Sequence, residues 1–192
     1  MEIGERLYIQ DRAAWRSWLA DNHLTKNEIW LIYYNKQSGK PRIPYNDAVE
    51  EALCYGWIDS ILKPVDKDCH AQRFSPRRKN SQLSELNKER IRRLIKEKKM
   101  MPIGLESIKN HLKEDSGKLK KTPKEFEMPD DILNELKSNP IVWKNFTKFP
   151  KHYQNIRVAW IDVVRKRPEE FEKRLRYFIK MTAKNKKYGM VQ

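Results

Sequence analysis

The residues with the most evident chemical potential lie in the run "RFSPRRKNSQLS", from Arg73 to Ser84. Pro76 fixes an extended corner from which Arg77 and Arg78 project. Ser81 or Ser84 then opens a helix whose free N–H groups and dipole favour an anion. Guanidinium groups, hydroxyls and a helix start gathered within about ten residues make a cradle for phosphate or carboxylate. The plainer account is that the serines cap the helix, which alone contributes about 1 kcal/mol, while the arginines pair with Asp59, Glu85 or another acid. Residue types alone leave both accounts open.

A second set is Asp59, Ser60 and His70. General acid–base work needs such groups to converge in a cleft with shifted pKa values. Asp59 and Ser60 alternate to opposite faces of a strand, which argues against a nucleophile–base pair, so the reading leans against an enzyme. Metal chemistry has no support either. The four histidines (His23, His70, His111, His152) form no H-x-H or H-E-x-x-H, and Cys54 and Cys69 form no C-x-x-C. No metal and no cofactor is expected. The six tryptophans sit at spacings that suit a core better than a ligand cage.

Charge suggests a third chemistry. The chain carries a net +15 with pI near 9.7, a balance that favours polyanions. Ten Lys/Arg face three Glu between Arg77 and Lys99, and the same ratio recurs between Arg165 and Lys187. Shown on one side, these basic helices, with Arg92, Arg93 and Lys96 in the first, would suit a nucleic-acid backbone. Otherwise they are solvated helix backs. No RNP, zinc-finger or helix-turn-helix signature points to sequence-specific reading.

These residues must be positioned by a fold, and 192 residues with 39% apolar content suffice for a core despite 35% charged residues. Asp11 caps a helix through Ala20 with Trp15, Trp18 and Leu19 as its apolar stripe. The run Ile29–Tyr34 is apolar on both faces and reads as a central strand. A loop follows, with a short edge strand around Arg42 and Ile43. Asn46 caps the next helix, which buries Ala48, Val49, Ala52 and Leu53 and ends with Gly56 at C′. From Trp57 a hairpin runs to Ser75. A three-residue loop at Asp66–Asp68 sets Asp59 opposite Ser75 and Ile61 opposite Arg73, placing Asp59 diagonal to Arg73 as its ion-pair or orienting partner; a four-residue loop would break that pairing. Helices follow at 84–98 and 103–112, then 130–138, 140–148, 150–165 and from Pro168 to about Lys184. In the last two, Tyr153, Ile156, Trp160, Val163 and Val164, then Phe171, Leu175, Phe178, Ile179 and Thr182, follow helical spacing. The expected class is α+β, a small mainly antiparallel sheet with flanking helices followed by a C-terminal helical subdomain. The boundaries are an α+β domain at 1–113, a linker at 114–128 and a helical subdomain at 129–192.

Three ordered blocks, "EEALCYGWIDS", "QRFSPRRKNSQLSELNKERIRRLIKEKKMMPIGLESI" and "FPKHYQNIRVAWIDVVRKRPEEFEKRLR", resemble the YdeI/OmpD-associated family, often labelled bacteriocin-protection. The similarity runs from Trp18 to about Lys184. Leu83 stands where that family usually has Trp, Met101 where Thr is common, and "PEEF" replaces "PET-R". The resemblance implies a small bacterial protein of undefined molecular activity, tied by name to tolerance of bacteriocins or antimicrobial peptides, and it carries over no catalytic residue. With no signal peptide and no long apolar run, the expected setting is cytoplasmic. The function expected is a binding protein with an anion (phosphate or carboxylate) site at Arg73, Arg77, Arg78, Ser81 and Ser84, oriented by Asp59. The alternatives are a non-specific nucleic-acid binder acting through the basic helices and an uncharacterised enzyme using Asp59. The protein partner is unknown.

Overall fold

Alternation and amphipathic spacing resolve into four strands and eight helices in the computed structural model, which describes residues 2–79, 81–112 and 128–189. The chain divides into two compact units, one of Met1–Gln82 with Arg90–Leu119 and one of Leu83–Glu89 with Lys120–Gln192. The segment read as a linker lies, Met128 apart, outside the described residues.

The first unit is built on a four-stranded sheet in the order β1 (Arg6–Leu7), β2 (Ile29–Tyr34), β4 (Cys69–Pro76), β3 (Trp57–Pro64). β1 runs parallel to β2, and the other pairs are antiparallel, so the class is α+β as the sequence suggests. Ile29, Leu31 and Tyr33 pair with Phe74, Gln72 and His70 on one face. That face is covered by α1 (Arg12–Asn22) and α2 (Tyr45–Cys54). Trp15 meets Phe74 edge-on at 5.5 Å and donates its indole N–H to Ala48 O at 2.9 Å, while Trp18 meets Trp57 edge-on at 5.9 Å. The opposite face gathers Trp30, Ile32, Cys69 and Ala71 with Ile3, Tyr8, Tyr34 and Val65 around them. Asp11 caps α1, accepting from Ala14 N at 2.9 Å.

Several expectations need correction. Arg42 and Ile43 form no strand; Ile43 is buried and donates its N–H to Ile9 O. The N-cap of α2 is Pro44, not Asn46, and no side chain caps it; Asn46 instead accepts from Arg90 Nη2 at 2.5 Å. The segment 103–112 breaks into α4 (Pro102–Ser107) and a short 3-10 turn at Lys109–His111. Val163 is 76% exposed, because its helix ends at Asp162 and the helical spacing lapses there.

Charge ties the helices of this unit together. Glu50 and Glu51 on α2 are only 5% and 2% exposed. Glu51 accepts from Arg12 Nε at 2.5 Å and Arg16 Nη1 at 2.6 Å, while Glu50 pairs with Arg12 at 3.3 Å and with Arg93 on α3 (Glu85–Lys96). The end of α2 is also approached closely by α4. A Cβ on Gly104 would stand 2.1 Å from Cys54 O and 2.7 Å from Cys54 C, and Met101 N donates to that same carbonyl at 3.0 Å.

In the second unit the helices α5 (Asp130–Lys137), α6 (Pro140–Lys148), α7 (Lys151–Asp162) and α8 (Pro168–Ala183) surround a core of Ile132, Leu136, Val142, Phe146, Tyr153, Ile156, Ile161, Leu175 and Phe178, with Leu86 packed against it. Asn139 caps α6 by accepting from Ile141 N and Val142 N. Buried Gln154 closes the other end of α6, donating to Phe146 O at 3.1 Å and Phe149 O at 2.8 Å. Among the described residues no helix is long and apolar enough to cross a membrane.

Two substitutions check this account by chemical denaturation. Gly104→Ala forces α4 away from backbone that cannot yield, at a cost of about 2–3 kcal/mol. Glu51→Gln removes the charge that two arginines share in a buried position and costs about 3 kcal/mol, the lower end for a broken buried pair, because both arginines are about one-third exposed. A change under about 0.5 kcal/mol in either, the ordinary range for surface sites, would contradict the packing described.

Candidate functional site

The hairpin decides where the candidate residues point. Near its turn the register is the one read from the sequence, with Leu62, Lys63 and Pro64 opposite Gln72, Ala71 and His70. Between Asp59 and Leu62 the register shifts, so that Asp59 pairs with Phe74 and Ile58 with Ser75. This is a β-bulge, one extra residue in β3, and Gln72 Nε2 donates to Ile61 O at 3.3 Å beside it. The expected orienting role of Asp59 toward Arg73 is overturned by it. Asp59 falls on the Phe74 face and accepts from the Tyr45 hydroxyl of α2. Arg73 lies on the other face, donating from Nε to Glu28 at 2.7 Å and from Nη1 to Ser60 at 3.2 Å and Ser75 at 3.3 Å. Hydrogen bonds from the Trp30 indole and then from Arg73 hold the Glu28 carboxyl below the usual range.

Of the anion set, the first unit brings together Arg77, Arg78 and Ser81. The chain turns after β4, and Arg77 N donates to Gly56 O at 2.9 Å. Arg77 Nη2 donates to Ser81 O at 2.9 Å, while the Ser81 hydroxyl donates to Arg78 O at 2.9 Å. The Arg77 side chain is half-buried, and its Nε has no acceptor among the described residues. Burial lowers the Arg77 pKa, and among the described residues no carboxylate offsets that effect. Arg78 is exposed. Ser84, in the second unit, accepts from Asn87 N at 3.2 Å as a helix cap, the plainer role foreseen for it. His111, which the sequence reading did not single out, sets its ring Nε2 3.3 Å from Ser81 O.

The basic helices offer less free charge than their composition suggests. Arg93 is paired with Glu50 and, at 3.9 Å, with Glu97, which corrects its assignment to an open basic surface. Arg92 and Lys96 are exposed. In the second unit Arg165 forks onto Asp131 at 2.7 and 3.1 Å and also holds Asp162, and Arg174 pairs with Glu170 while lying 4.1 Å over the Trp160 ring. Exposed cations remain along α8 at Lys173, Arg176 and Lys180, around a Tyr177 that is 46% exposed.

Asp59, Ser60 and His70 do not form a catalytic triad-like array. Ser60 lies with Arg73 and Asp59 with Tyr45, while the His70 ring stacks on Tyr33. Tyr33 in a strand, Tyr45 at a helix start and Arg42 in a loop carry no local signal of chemistry; each comes near Asp59 or its neighbours only by tertiary pairing.

A family model described as "Bacteriocin-protection, YdeI or OmpD-Associated" matches residues 125–185, the family that the sequence blocks resemble. A model described as "Domain of unknown function (DUF8412)" matches residues 7–107. No curated protein and no solved structure matches the chain. Because that second match spans more than half of the 192 residues, the chain belongs to the family described as a domain of unknown function, DUF8412, and it carries a bacteriocin-protection match in its C-terminal part.

Proposed function

We propose that the chain is a small bacterial binding protein of the cytoplasm, not an enzyme, that holds a phosphate or carboxylate group at the corner formed by Arg77, Arg78 and Ser81. One observation carries the reading: Arg77 is a half-buried guanidinium whose Nε has no acceptor among the described residues and which no carboxylate neutralises. A cation so placed loses hydration and gains only the neutral Ser81 carbonyl in return, which leaves its charge unfavourable until an anion arrives. Arg78 adds a second, exposed charge, and the internal hydrogen bonds of the turn hold its shape. Arg73 takes no part, since Glu28 holds it. The match to a bacteriocin-protection model supports a role in tolerance of antimicrobial proteins, in which a bound anionic group would be the cargo or signal.

A second reading, of a non-specific nucleic-acid binder, is favoured by the α8 face, where an exposed tyrosine lies among Lys173, Arg176 and Lys180. Basic residues interleaved with an aromatic side chain suit a single strand, whose bases stack while its phosphates are neutralised.

The two readings separate by experiment. Thermal unfolding with inorganic phosphate at about ten times its Kd should show a stabilisation of about 1.4 kcal/mol relative to chloride at equal ionic strength. Arg77→Gln should abolish that response without lowering the stability of the free protein; a response kept intact in this variant would rule out the corner. For oligonucleotides, Lys173→Gln with Arg176→Gln and Lys180→Gln should flatten the plot of log K against log salt by about 0.7 for each contact removed on a single strand. An unchanged slope would exclude the α8 face.

A further inference from the structure

The helix-covered face of the sheet carries a second polar cluster that the Arg77 corner does not use. Tyr33 on β2 and His70 on β4 are register partners, and their rings stack with centroids 5.6 Å apart and planes 8° from parallel. Asp59 on β3 shares that face through its pairing with Phe74 and accepts from the Tyr45 hydroxyl at the start of α2. Arg42, in the loop before α2, places its guanidinium carbon 5.9 Å from the Tyr33 ring centre. Tyr33 is 3% exposed, and its buried hydroxyl has no hydrogen-bond partner among the described residues.

An unanswered buried hydroxyl destabilises the free protein. Phenylalanine would fill the same position without that cost, so the hydroxyl calls for a partner that arrives from outside. Its surroundings say what kind. Burial, seconded by the nearby Asp59 charge, raises the Tyr33 pKa well above that of a free phenol, and Arg42 opposes the shift. Tyr33 therefore stays a proton donor with a negative group and a positive group both within electrostatic reach. Tyr45 donates to Asp59 Oδ2, which leaves Oδ1 for a donor on a ligand. Burial and then Arg42 lower the His70 pKa, so the imidazole beside the site is neutral near pH 7. A phosphate dianion fits poorly here because Asp59 would repel it.

We propose that this cluster binds a small carboxylate with a hydrogen-bond donor on the adjacent carbon, a hydroxy acid or an amino acid. The carboxylate meets the Tyr33 hydroxyl and Arg42, and the adjacent hydroxyl or ammonium group meets Asp59. The site lies wholly within the first unit and is independent of the Arg77 corner.

Titration of the full chain with glycolate, glycine and acetate by calorimetry, with amide shifts followed by NMR, tests the assignment. Glycolate or glycine should bind saturably, the stronger of the two reporting whether hydroxyl or ammonium is preferred. Acetate, which has no donor, should bind about tenfold more weakly, as the loss of one hydrogen bond to a charged group implies. Tyr33→Phe should melt at a temperature equal to or above that of the parent and still bind the preferred probe about tenfold more weakly, a combination that a purely structural tyrosine would not give. Arg77→Gln should leave this binding unchanged, so failure here and failure of the phosphate corner are told apart. No saturable binding by glycolate or glycine, equal binding by acetate, or a Tyr33→Phe protein that melts lower and binds normally would each overturn the proposal.

Discussion

Two carboxylates buried on one helix govern the first unit. Glu50 and Glu51 are removed from water on α2, and an unpaired carboxylate in such a place would be protonated or would unfold its surroundings. They are paired with arginines that come from elsewhere in the chain: Arg12 and Arg16 on α1, and Arg93 on α3. Desolvation pulls the Arg12 and Arg16 pKa values down, yet the hydrogen bonds and charge of Glu51 outweigh it and hold both above the ordinary arginine value. The pairing is directional as well as strong, since each guanidinium must meet a particular oxygen. It therefore fixes how α1 lies against α2, and with them the tryptophans that cover the sheet. A core of Trp15, Trp18 and Phe74 alone would tolerate sliding; the ion lattice does not.

The same lattice changes what the large positive charge means. A net +15 suggests a broad polyanion surface, but composition counts charges without asking where their partners are. Arg12, Arg16, Arg73, Arg93, Arg165 and Arg174 all have carboxylates of their own. The arginines on which the proposed anion site rests are those without a carboxylate among the described residues. Arg77 is such a residue in the first unit. In the second, Arg157 is a different case: it is 5% exposed, its Nε has no partner among the described residues, and its charge rests among the rings of Tyr153, Trp160 and Tyr188, 4.9 Å from the last. Gly189 packs so closely on that guanidinium that a Cβ there would stand 2.6 Å from it. With ring faces on several sides and backbone over it, Arg157 is satisfied by its aromatic surroundings, whereas Arg77 has no such compensation.

How much of this was legible depended on the range of the signal. The central strand Ile29–Tyr34, the caps at Asp11 and Gly56 and the amphipathic C-terminal helices follow from local periodicity, and they were read correctly. β1 has two residues, too few to show any period. Glu50 and Glu51 do not stand out in the sequence, because nothing local marks a carboxylate whose partners lie thirty-five or more residues away. The pairing of Arg73 with Glu28 spans forty-five positions and is likewise invisible to a local reading. The β-bulge is the most instructive miss. Hydrophobic alternation on an edge strand such as β3 is weak, with Ile61 and Leu62 exposed, so one extra residue leaves no trace in the pattern.

That single residue nonetheless sets the chemistry of both faces. Without the bulge, Asp59 would stand opposite Ser75 and next to Arg73, and the two charges would neutralise one another on the outer face. With it, Asp59 turns to the helix-covered side and meets Tyr45, while Ser60 stays behind and its hydroxyl oxygen accepts from Arg73. Arg73 must then recruit Glu28, which fixes the chain just before the central strand. Among the described residues Asp59 becomes the acid that acts on the Tyr33 hydroxyl, with Arg42 as its counterweight. An irregularity in β3 thus converts what would be an inert surface ion pair into a separated negative and positive group around a buried donor. Such a separation costs folding stability and is useful only when a ligand carries the complementary charges.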